Sequence, residues 1–308
     1  MNPNPATPAV SALSIGPIPY YWPRGDVVRF YAAIVPTVVQ RIYLGETVCS
    51  RRHELRAQDW LALARELATA GKQVILSSQT LIESMADVRA LETLADNAEF
   101  TVEANDMSAV ALLAGRTKFV AGPHLNLHSP DTLEWIFRLG AVRWVAPPDL
   151  DGAQVASLVA TRPAGLETEV LIHGRLPLAF SARCFTARHY NLPKEDCQFR
   201  CIEHPDGLPL ATREGKPFLT LNGIQTQSAA VQSLLAELPA LQSMGIDALR
   251  IAPQATDMDA VIGAYARALT DPSAITELVA DFGQRFPDSL CNGYWHAEPG
   301  MRWVEAAA

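Results

Sequence analysis

The chain has 308 residues, 49 % hydrophobic and 19 % charged, which is material for one large domain or two ordinary ones. A formal net charge of −8 and the absence of any Lys/Arg run argue against a duplex-binding or anionic-membrane face. No apolar run approaches the roughly 18–20 residues that span a bilayer, and MNPNPATPAVSALSIG lacks the regions of a secretory signal, so the expected location is cytoplasmic.

Short apolar runs alternate with amphipathic ones along the chain. Residues 11–22 predict a strand and 25–35 a helix; 41–45 is a strand, followed by a helix over 56–71 that ends in Gly. The pairs 72–79 and 84–98, 100–106 and 108–115, and 118–128 and 129–140 repeat the pattern. Ser129 there is a predicted N-cap with proline at the first helical position. Residues 142–148 and 151–162 continue it, and 167–174 is the next strand. The rhythm breaks over 177–217, then resumes with a helix over 231–245, a strand over 247–254 and a helix over 257–270.

Eight strand–helix units with no evident linker predict a single α/β domain over 1–308, a (β/α)8 TIM-like barrel. The open doubly wound alternative would want a G-x-G-x-x-G after the first strand or a Walker sequence, and neither is present. The segment 177–217 reads as an insertion after strand seven, and 274–308 as a C-terminal extension closing one end with aromatic residues Tyr294, Trp295 and Trp303.

Three of the five cysteines fall within CFTARHYNLPKEDCQFRC, residues 184–201. Cytoplasmic thiols stay reduced, and five cysteines are too few for a disulfide framework. In a barrel, the loop after strand seven lies on the functional face, and so does Cys49, which follows strand two. Cys197 and Cys201, four apart, would face the same way on a helical turn. Cys49, Cys184, Cys197 and Cys201 are therefore placed to converge. Four sulfurs hold zinc or an iron–sulfur cluster. One close pair with two remote cysteines suits a [4Fe–4S] cube better than paired zinc knuckles, and zinc and incidental thiols stay open. Cys291 reads as a buried thiol outside the set.

The stretch EVLIHGRLPLAFSARCF (169–185) resembles the signature of the U32 family, former peptidases, with Glu169, Gly174 and Cys184 matching and Pro177 where the family's first signature cysteine falls. Cys49 in YLGETVCSRR and the closing FPDSLCNGYWHAEPGM are similar to its UbiV-like, ubiquinone-biosynthesis subgroup, in which a cysteine after strand two replaces the missing one. The resemblance implies a [4Fe–4S] cluster on Cys49, Cys184, Cys197 and Cys201 and a heterodimer with a UbiU-like U32 protein. It also implies oxygen-independent hydroxylation in ubiquinone biosynthesis, with prephenate as oxygen donor and a ubiquinone precursor as substrate. RNA-base hydroxylation, known in the same family, and a zinc-stabilised scaffold role are the alternatives. Peptidase chemistry finds no G-x-S-x-G or H-E-x-x-H here.

Further candidates accompany the cysteines. His173 ends strand seven and is placed to donate a proton or bond a cluster sulfide. Arg175 beside it is suited to a substrate carboxylate. Arg250, inside an apolar eighth strand, needs a partner or a ligand. Glu103, Asn105 and Asp106 end strand four, and His124 and Asn126 lie within or after strand five, where they line a pocket or cap loops.

Overall fold

Strands buried on both faces need helices outside them, and the alternating pattern supplies one after nearly every strand. The computed structural model describes residues 11–286 and 290–305. The parts of the expected leader-free N-terminus and C-terminal extension at 1–10, 287–289 and 306–308 lie outside the described residues. The strands are β1 (Ala12–Ile15), β2 (Arg41–Leu44), β3 (Gln73–Ser77), β4 (Thr101–Ala104), β5 (Phe119–Ala121), β6 (Ala141–Val145), β7 (Glu167–Phe180), β8 (Leu208–Ala211), β9 (Pro217–Asn222), β10 (Gln225–Ser233), β11 (Ala248–Ile251) and β12 (Leu290–Cys291). The helices are α1 (Arg24–Ile34), α2 (Ala57–Thr69), α3 (Met85–Ala95), α4 (Met107–Leu113), α5 (Pro130–Arg138), α6 (Gly152–Thr161), α7 (Phe185–His189), α8 (Leu238–Ser243), α9 (Met258–Thr270) and α10 (Ile275–Arg285).

Strands β1 to β7 pair in parallel and in order, and β11 closes the ring by pairing in parallel with both β7 and β1. This is a closed eight-stranded (β/α)8 barrel, as the alternation predicts. Side chains alternate across its wall. Leu13, Ile15, Ile42 and Leu44 join the large core shared with the helices, whereas Tyr43, Ile75, Val120 and Val145 form a separate cluster. Ser129 caps α5 with proline at its first turn, as expected.

Two elements differ from the expectation. Strand β7 does not stop at residue 174 but runs to Phe180, carrying Pro177 within it. Proline is tolerated there because the partner β10 shifts register at Gln227, opposite Pro177. The helix expected over 231–245 begins only at Leu238, because residues 225–233 are β10, antiparallel to both β7 and β9. The apolar positions Val231, Leu234, Leu235, Leu238 and Leu241 match a helical stripe, and all are buried, but the first of them is buried as a strand. The insertion thus folds back as a three-stranded antiparallel flap, β8–β9–β10, on the end of β7.

Candidate metal centre

Two loops at the C-terminal ends of barrel strands meet over one small cavity. The loop after β2 carries Cys49, and its turn is shaped by Glu46, whose Oε1 accepts from the backbone N–H of Val48 at 3.0 Å and of Cys49 at 3.1 Å. The segment after β7 carries the other three. Cys184 precedes the short α7, where its Sγ accepts from the N–H of Ala187 at 3.4 Å. Phe185 donates to the Gly223 carbonyl at 2.7 Å, tying this segment to the β9–β10 turn. Cys197 and Cys201 are not joined by a helical turn. Between them Gln198 and Phe199 both adopt left-handed backbone, with φ of 50° and 53°. Each such non-glycine residue costs on the order of 1–3 kcal/mol. Phe199 sits against His53, ring centroids 4.7 Å apart, and Tyr21 at 6.0 Å, so packing on the β1 and β2 loops holds the kink.

Cys49, Cys184, Cys197 and Cys201 all line this cavity, whose free space is about 310 Å³ counted with its open side. None is in a disulfide. Burial raises the thiols of Cys49, Cys184 and Cys201 above the ordinary range, and Arg52 opposes it in each case. Among the described residues, no three Cys, His, Asp or Glu side chains stand close enough together to grip a single ion. Cys291 is elsewhere, buried in β12 against Leu171 and Leu176, with its thiol pushed up to about 12 by burial.

A second cavity, of about 600 Å³ with its open side, occupies the barrel mouth and is lined by Thr47, His124, Arg175, Gln225, Gln227 and Arg250 among others. Arg250 forms part of its floor but is not free. Its Nε donates to Glu169 at 2.8 Å, its Nη2 stands 2.8 Å from Glu103 at an angle short of a hydrogen bond, and its guanidinium lies 4.0 Å over the Tyr43 ring. Tyr43 donates to Glu169 at 2.5 Å and accepts from Arg143 at 2.9 Å. Burial would raise the Glu169 carboxyl, but Arg250 and Arg143 outweigh it and hold the group at about 2. Arg175 donates to the Ala229 carbonyl, and its buried Nε has no acceptor; Gln227 Oε1 nearby has no donor.

The remaining candidates separate. His173 lines neither cavity: its ring lies among Tyr265, Phe282 and Phe286 on the outer side of the barrel, and burial pushes it down to about 4. Asp106 caps α4 through the Ser108 N–H, Asn105 bonds the Ser78 carbonyl, and Asn126 is an exposed left-handed turn residue. Trp295 joins the main core, and Tyr294 packs on the Cys291 cluster. Trp303 is partly exposed. Arg52, unmarked in the sequence reading, lines the cysteine cavity with its side chain 1 % exposed. It also borders a third cavity, between α2 and α3, of about 1080 Å³ with its open side.

The model of peptidase family U32 matches residues 25–305. The chain belongs to that family. Among solved structures, the U32 peptidase Mk0906 shares 13 % identity over 82 % of this chain and 97 % of that one, with a TM-score of 0.46. The Plasmodium falciparum HPPK-DHPS enzyme shares 10 % identity at a TM-score of 0.40, covering 88 % of this chain and 47 % of that one. The Bacillus megaterium spore cortex-lytic enzyme SleL shares 9 % at 0.31, covering 86 % and 76 %. In the β7 stretch the Glu169 carboxylate joins the barrel's ion network and Gly174 has a φ of 126°. Among the described residues no helix is long and apolar enough to cross a membrane.

Proposed function

We propose that this U32 chain is the iron–sulfur subunit of an oxygen-independent hydroxylase in ubiquinone biosynthesis, working with a UbiU-like U32 partner. The observation that carries the reading is that four cysteines from two separate loops line one cavity. That donor set fits a [4Fe–4S] cluster: four sulfurs, a backbone N–H on Cys184, and an arginine bordering the same space. A mononuclear zinc site draws its sulfurs to within about 4 Å of one another, given bonds of about 2.3 Å. Among the described residues the thiols do not converge on a single ion, and the reading rests on their sharing one cavity.

When bound, such a cluster supplies electron transfer, since four cysteine ligands leave no iron open to substrate. The chain's own residues supply binding. Arg175, with a buried Nε lacking an acceptor, suits an anionic oxygen donor such as prephenate at the barrel mouth. The space between α2 and α3, walled by Leu55, Trp60, Leu61, Leu91 and Leu94, suits the apolar body of a ubiquinone precursor. Glu46 and Arg52, which also border this space, belong to the loop that carries Cys49. The Arg250–Glu103–Glu169 network keeps the floor of the mouth rigid.

The first test is the iron, acid-labile sulfide and zinc content of the protein purified without oxygen. Iron and sulfide near about four each per chain support the reading. Zinc without sulfide overturns the cluster and leaves the four cysteines as a structural clasp. The hydroxylation itself is checked by deleting the gene. Ubiquinone made without oxygen should disappear while aerobic synthesis continues, and unchanged anaerobic synthesis would refute the role.

A further inference from the structure

Arg52 lies three residues after Cys49, yet its side chain turns inward rather than to solvent. Three parts of the chain bury it. Nη1 donates to the Pro19 carbonyl at 2.7 Å, and Nη2 donates to Asn222 Oδ1 at 2.6 Å. Asn222 itself donates to the same Pro19 carbonyl at 2.8 Å. The carboxylate nearest the guanidinium is Glu46, at 3.4 Å, and its Oε1 is already taken by two backbone N–H groups. A buried cation wants more compensation than one shared carboxylate oxygen. Its Nε is buried with no partner in hydrogen-bond geometry. Arg52 lines the same cavity as Cys49, Cys184, Cys197 and Cys201. The same positive charge acts on Cys49 and Cys184.

These observations describe a buried cation with one shared carboxylate oxygen, bordering the cavity that the four cysteines line. We propose that Arg52 is a positioning residue for the cysteine site, with its fixed charge set beside the thiolates that line the same cavity. The inference rests on the cluster proposed above. Four thiolates and a reduced cluster together carry excess negative charge. A cation sealed beside them in low dielectric stabilises the state with the extra electron more than the state without it. Arg52 therefore raises the reduction potential, independently of its tie between Pro19 and Asn222.

The test compares wild type with Arg52→Gln, Arg52→Lys and Asn222→Ala, each purified without oxygen. Iron, sulfide, the visible spectrum and the midpoint potential are measured. Arg52→Gln should hold iron and sulfide but show a more negative potential. Arg52→Lys, which keeps the charge without the planar fork, should fall between it and wild type. Asn222→Ala removes the structural tie and leaves the charge, so it should lower the melting temperature without moving the potential. Should Arg52→Gln fail to fold or load, the neutral Arg52→Met takes its place, and a wild-type potential in it overturns the proposal. A wild-type potential in Arg52→Gln does the same, as does an equal shift in Asn222→Ala. Wild type with no iron or sulfide overturns the cluster reading and this inference with it. Loaded wild type with unmoved variants overturns this inference alone.

Discussion

At the scale of single residues, the cysteines were legible because their chemistry is rare and their spacing unusual, whereas Arg52 was not. An arginine after Ser-Arg reads as a solvated loop residue, and only the fold reveals Asn222, 170 positions away, as its partner. Arg250 was legible as an anomaly, a charge in an apolar strand, though its partners Glu103 and Glu169 were not. The four-sulfur assignment makes a direct prediction. Replacing Cys49, Cys184, Cys197 or Cys201 singly by Ala should strip most of the iron and sulfide, and Cys291→Ala should leave both unchanged. Full retention in Cys49→Ala would remove that residue from the set. His173 makes a different one. Its ring is fully buried among three aromatic rings, and its folded pKa, about 4, lies below the ordinary 6.5. The unfolded chain therefore binds the extra proton first. The neutral ring's stability is complete above pH 6.5 and is lost as pH falls towards 4, by about 3 kcal/mol in all. His173→Phe should keep the packing and remove about half of the chain's loss in that window in denaturant melts, because burial and Arg250 hold His124 at about 4 as well. A variant with the wild-type slope would show that other groups set it.

At the scale of elements, period and punctuation carried the barrel, since β1 to β7 and β11 alternate with helices near the expected places. The flap escaped because its evidence is long-range. Residues 225–233 are a strand only because β7 runs past Pro177 to receive them, and pairing partners some fifty positions apart leave no local periodic mark. Gly174 shows how such an element constrains one position. Its φ is 126°, and a Cβ there would lie 2.5 Å from the Ala252 Cβ beyond β11. Both the backbone and the close approach of the two strands thus demand glycine, a structural reason for its place in the family-like stretch. Gly174→Ala should cost about 2–4 kcal/mol from strain and overpacking together. Thermal melts should show it, and a variant within 0.5 kcal/mol of wild type (about the size of an ordinary surface change) would refute the account.

At the scale of the whole molecule, the barrel interior departs from the apolar layers that usually fill this fold. Glu169 on β7 meets Arg250 on β11, Tyr43 on β2 and Ser14 on β1, and Arg250 goes on to Glu103 on β4. One charge network thus ties strands from around the ring, directly beneath the mouth cavity that Arg250 also lines. Removing one partner of such a network leaves the others buried and uncompensated, which costs about 3–5 kcal/mol. Glu169→Gln should therefore lower stability at neutral pH, towards the lower end of that range, because Arg250 and Arg143 lose their shared counter-charge but keep Glu103 and Glu167. Its pH signature is separable from that of His173. The Glu169 carboxyl is held at about 2 against an ordinary 4.5, so its contribution is complete above pH 4.5 and disappears as pH falls through 2. Wild type should thus lose stability in two windows, first between pH 6.5 and 4 and then below 4.5. Glu169→Gln should abolish the second and keep the first. If instead the variant keeps the lower window, the acid sensitivity belongs to carboxylates outside the barrel, and the network acts by packing rather than by charge.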